Sequence, residues 1–154
     1  MTVFAHIRQS FEKAFFPRLS EWWAAGLLMA LGWMLGSNPD LMDNKATHAY
    51  DLLLMIAQQQ TWAIIMKLFA AARLTVLLIN GAWRRSPHLR ALSALLSCFF
   101  WTQIALSFAP IFGYAFAMSA GVLALDFVNM IRAARDARTI DYGFAKGGIA
   151  GGQN

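Results

Sequence analysis

The chain has 154 residues, of which 58% are apolar or aromatic and 14% charged, with a formal net charge of +5. A soluble globular chain carries roughly 25% charged residues, so this polar complement is too small to cover a compact body in water. Disorder, collagen-like repeats and a disulfide-stapled secreted module are excluded, and the balance points to lipid.

Residues 1–17 come first. Val3, Phe4, Ile7, Phe11 and Phe15 recur at helical spacing, with His6, Arg8, Gln9, Glu12 and Lys13 opposite them. This pattern predicts an amphipathic helix lying in the membrane interface, cations among the headgroups. A plain extension of the next segment is the alternative, against which Pro17 stands.

Four apolar segments follow. A membrane helix needs about 20 apolar residues, within a range of roughly 17–25. The first span is 19–36, short in its uncharged part and carrying Glu21 at the headgroup level. It lacks a small-x-small cleavage site and is expected to be retained rather than removed as a signal peptide. The second span is 61–80, interrupted by Lys67 and Arg73. The third is 91–108, and the fourth is 111–131, broken by Asp126. Between them lie an outer loop, 37–60, with a short helix expected from Thr47 as N-cap, and a basic inner loop, 81–90. Ala109-Pro110 joins the last two spans tightly enough to make them antiparallel neighbours. Residues 132–154 read as a basic tail with a disordered, glycine-rich end.

Charge sets the orientation. Arg8, Lys13, Arg18, Arg84, Arg85, Arg90, Arg132, Arg135, Arg138 and Lys146 make ten of the thirteen basic residues, and all fall on one side if the spans alternate. By the positive-inside rule that side is cytoplasmic, with both termini inside and the membrane of the bacterial inner type. The expected fold is all-α: a polytopic four-helix bundle.

Ionisable residues within a bilayer each need an account. Arg73 lies seven residues from the inner end of its span, roughly 10 Å, and Asp126 five residues from its own, roughly 8 Å. Opposite charges at similar depth predict a polar seam between spans two and four, with Ser119 and Asn129 on the Asp126 face. Independent snorkelling of the two charges and a transport or proton-relay role are the other readings. Lys67 either snorkels to the outer headgroups or meets Gln103 of span three.

Gly32 and Gly36 form GxxxG, and Gly113, Ala117 and Gly121 form a small ridge, both candidates for close helix packing. Cys98 sits alone in an apolar run and reads as a buried small hydrophobe.

Enzyme signatures are missing: no HExxH, no GxSxG and no phosphate-binding glycine loop. His6, His48 and His88 are scattered, so no catalytic residue, cofactor or metal is expected. The split arginines argue against nucleic acid. In size, basic ends and short spans the chain is similar to phage holins, a likeness of architecture whose four spans exceed the one to three of that family. It implies self-association and membrane permeabilisation. The expected function is non-enzymatic, by self-association or as an accessory to another membrane component. The alternative is a small transporter or channel subunit using Arg73, Asp126 and Lys67.

Overall fold

The computed structural model describes residues 18–43, 48–82 and 87–150. Among them there are helices and turns and no strand. The elements are α1 (Leu19–Ser37), α2 (Asp51–Leu54), α3 (Gln59–Ala82), α4 (Pro87–Phe108), a 3-10 turn (Ala109–Ile111) and α5 (Tyr114–Ala150). The amphipathic segment 1–17, the expected cap Thr47, and Arg84 and Arg85 lie outside the described residues.

Three described helices are long and apolar enough to cross a membrane: Gln59–Ile79, Pro87–Ile111 and Tyr114–Thr139. A span of 21 residues is about 32 Å long, the thickness of a hydrocarbon core. The expected first span, α1, is not among them. Its 19 residues include Glu21, Ser20, Ser37, three glycines and three tryptophans, which leave it without a stretch long and apolar enough to qualify.

Local chemistry explains the ends. Pro39 forces the preceding residue out of the helical region, and Asn38 accordingly turns extended at φ −123° and ψ 92°. Its backbone N–H (3.2 Å) and its side-chain amide (2.9 Å) both donate to the Met34 carbonyl, closing the last turn of α1. At the tight connection between α4 and α5, Phe112 takes a left-handed φ of 45° and donates its N–H to the Ala109 carbonyl. These two helices pack along their length as antiparallel neighbours.

Three boundaries move. The helix expected across 47–60 is a single turn, Asp51–Leu54, preceded by His48 at a positive φ. The loop expected at 81–90 is largely helix, since α3 runs to Ala82 and α4 begins at Pro87, the favoured first helical position for proline. The tail shows no break at Ile131: α5 continues through the arginine-rich stretch to Ala150, so the segment expected to be loose is helical that far. Arg132, Ala133, Ala134, Arg135, Ala137 and Arg138 are good helix formers, which explains the continuation.

The molecule is built as two antiparallel hairpins. α1 packs chiefly on α3, and α4 chiefly on α5, with thinner contact between the pairs. An apolar cluster of Leu28, Leu35, Leu53, Trp62, Met66, Phe100, Trp101 and Ile104 fills the end at which α1 finishes and α3 starts, the outer end of the expected topology. Many large apolar side chains point outward instead, including Ile64, Leu68, Leu92, Leu95, Phe99 and Phe127. The largest fully buried side chain is Arg73, and Asp126 and Asn129 are also fully buried. Charges inside and leucines outside is the arrangement that an apolar solvent demands.

Candidate functional site

Arg73 on α3 is 1% exposed and Asp126 on α5 is 0% exposed. The guanidinium forks onto the carboxylate, Nη1 donating to Oδ2 at 2.7 Å and Nη2 to Oδ1 at 2.5 Å. Such bidentate pairing fixes geometry as well as neutralising both charges. Ser97 on α4 donates its hydroxyl to Oδ2 at 2.5 Å, and Asn129 donates its amide to Oδ1 at 3.3 Å. The Asn129 carbonyl oxygen in turn accepts from Ser20 on α1 at 2.7 Å. Each of the four long helices thus contributes to one connected seam, with both carboxylate oxygens fully engaged. Ser119 faces the same way but spends its hydroxyl on the Ala115 and Phe116 carbonyls of its own helix.

A second cluster lies seven residues along α4 from Ser97, roughly 10 Å nearer the inner end. Arg90 donates through Nε to Glu21 Oε2 at 3.2 Å and through Nη2 to Glu21 Oε1. Its Nη1 donates to Asp136 at 3.1 Å. Glu21 and Arg90 are buried, whereas the Asp136 side chain is 57% exposed. Sequence reading missed this cluster. Glu21 was assigned to the headgroups, Arg90 to the inner loop and Asp136 to the tail, so three apparently solvated charges hid one buried bridge. The available signal was Glu21 itself, an acid at the edge of an apolar run with basic residues at the same level of a neighbouring span.

Lys67 turns toward α1, not toward Gln103. A Cβ placed on Gly32 would meet the Lys67 Cγ and backbone nitrogen at 3.0 Å, and one on Gly36 would meet Nζ at 3.1 Å. The GxxxG pair therefore forms the slot that houses a lysine stem. The ammonium ends 5.9 Å from the Trp33 ring centroid, within cation–π reach. Gln103 is half-buried on α4.

The other small ridge packs differently from its sequence expectation. Ala117 and Gly121 are exposed, and a Cβ on Gly121 would meet nothing within 4 Å. A Cβ on half-buried Gly113 would touch only Ile111 of its own turn. The ridge faces away from the bundle.

At the outer end Gln59 ties the loop down. Its amide donates to the Leu35 carbonyl at 2.7 Å and to the Asn38 carbonyl at 2.5 Å, while its oxygen accepts the Met42 N–H at 2.7 Å. The Trp62 indole donates to the Leu53 carbonyl at 2.8 Å. Tyr50 packs edge-on against Phe108, and burial pushes its phenol above the usual tyrosine range. His48 and Asp51 make an exposed contact at 2.9 Å. Cys98 is buried.

No three His, Cys, Asp or Glu side chains converge as metal ligands among the described residues. Chemically, the seam can hold four helices in one register. No family model, curated protein or solved structure matches this chain.

Proposed function

We propose that the chain is a four-span integral protein of a bacterial-type inner membrane, both termini cytoplasmic, that acts without catalysis by associating with itself or with another membrane protein. Four spans require α1 to join the three more apolar helices. Its 19 residues measure about 28 Å, close to the hydrocarbon thickness. Its acid, Glu21, is neutralised inside the fold by Arg90, which removes the main cost of insertion.

The observation that carries the association reading is the outward ridge of Gly113, Ala117 and Gly121 on α5. Small residues let helix backbones approach closely in lipid, where van der Waals packing drives association. Among the described residues nothing occupies that ridge, while Arg73 and Asp126 are spent on one another as a latch. A holin-like permeabilising assembly is one form such association would take.

Cysteine cross-linking in native membranes tests the reading, in a Cys98→Ser background. Ala117→Cys should give oxidant-induced cross-linked species, whereas Leu68→Cys, exposed on α3, should not. Equal cross-linking at both positions, or none, sinks it. Reporters fused before Met1, inserted near Asp43 and fused after Asn154 should read cytoplasmic, outside and cytoplasmic in turn. Met1 and Asp43 on one side would remove α1 as a span, and Asp43 and Asn154 on one side would remove one of the other three. Abrupt loss of membrane potential on induced expression would favour the permeabilising form, and quiet accumulation an accessory one.

A further inference from the structure

α1 carries a shallow groove on its exposed side, lined by Gly26, Met29, Ala30, Trp33, Met34 and Ser37. A Cβ on Gly26 would meet nothing within 4 Å, so the floor of the groove is open. Trp33, which forms one wall, is also the ring over which the Lys67 ammonium sits. Lys67 begins eight residues inside α3, roughly 12 Å from its outer end. Helical side chains lean toward the N-terminus, which for α3 is the outer end, and the Gly32–Gly36 slot guides the stem that way. Its Nζ accordingly reaches Gly36, one residue from the end of α1. That is the level of lipid phosphates and glycerol.

We propose that this groove and Lys67 form a site for an anionic phospholipid of the outer leaflet. An acyl chain lies against Gly26, Ala30 and Met34, and the phosphate rests on the Lys67 ammonium beside the Trp33 indole and the Ser37 hydroxyl. Charge complementarity selects this occupant. The two buried cations among the described residues have carboxylate partners, Arg73 with Asp126 and Arg90 with Glu21 and Asp136. Among the described residues no carboxylate lies within ion-pair distance of Lys67. A second copy of the chain would bring its own Lys67 to a shared groove and add like charge. The proposal rests on α1 crossing the membrane, which the topology reporters read separately from lipid binding.

Native mass spectrometry of the full chain in detergent provides the test, with palmitoyl-oleoyl phosphatidylglycerol or the phosphatidylcholine of the same chains added. One lysine near an anionic lipid surface is worth about fivefold, so the wild type should retain phosphatidylglycerol about fivefold better. Lys67→Met keeps the stem and should erase that preference. Gly26→Leu fills the groove floor, leaves Lys67 untouched, and should lower retention of both lipids. Should Lys67→Met lose helix content, Gly26→Leu decides alone. Equal retention of the two lipids by the wild type overturns the proposal, as does unchanged retention in Gly26→Leu. Dimers that Gly26→Leu dissolves, without any lipid preference, would assign the groove to a second copy instead.

Discussion

The interface between the two hairpins is made of different material at its two ends. On the inner half it is polar: Arg73 with Asp126, Ser20 with Asn129, and Glu21 with Arg90 each cross from one hairpin to the other. On the outer half it is aromatic. Phe100 of α4 stacks at 4.9 Å on Phe69 and meets Trp62 edge-on at 6.4 Å, both from α3, and Tyr50 closes over Phe108. Lipid is as apolar as leucine, so aromatic packing there gives contact without a strong preference for one alignment. Ion pairs with two or more directional bonds admit one alignment only, because any slip strands a charge in hydrocarbon. The outer half supplies surface, and the inner half supplies register.

That division predicts unequal costs. Asp126→Asn leaves Arg73 buried without its counter-charge and should cost about 3–5 kcal/mol, the usual loss when one partner of a buried pair is removed. Arg73→Gln should cost a comparable amount, and the double variant less than the sum of the two, since neither charge is then stranded. Thermal unfolding of all four proteins in nanodiscs measures this. Strict additivity would show that the pair is not a unit and that the inner half does not set register.

Glu21→Gln should come next. Arg90 keeps Asp136, which is water-exposed, so about 1–3 kcal/mol is expected, the cost of a lost hydrogen bond to a charged group. Distance measurements by spin labels on α1 and α4 should broaden at the inner end and stay sharp near Phe100. Broadening at the outer end instead would reverse the comparison.

Gln59→Ala touches only the outer half. It removes the bonds to Leu35, Asn38 and Met42, and about 1–2 kcal/mol should be lost. Faster amide exchange should be confined to residues 38–43, with the hairpin interface unchanged. The smallest effect belongs to Asp136→Asn. Its side chain is exposed and screened, so a change below about 1 kcal/mol is expected, and one that shrinks with added salt.

Much of this layout was legible from local sequence. Spans two to four follow from runs of apolar residues, and counting from span ends placed Arg73 and Asp126 at one depth before any contact was known. The same counting failed for Glu21 and Arg90. Each sits at a span edge, where a solvated charge and a buried one look alike in sequence. The choice between them depends on whether another helix covers that edge.

Composition and period by themselves determined that the chain is helical, that the runs at 61–80, 91–108 and 111–131 can cross a membrane, and that the charges within them come in opposite signs. These properties are local: each helix satisfies its own backbone, and each apolar run is written in consecutive residues. Only the tertiary structure decided which face of each helix turns inward. It packed the Gly32–Gly36 face closely on α3 with the Lys67 stem in the slot, turned the Gly113–Ala117–Gly121 ridge outward, and joined Glu21 to Arg90 across 69 positions of chain. Rotation of a helix about its axis is set by what it packs against, because in lipid every face of an apolar helix is equally well solvated until a charge must find its partner.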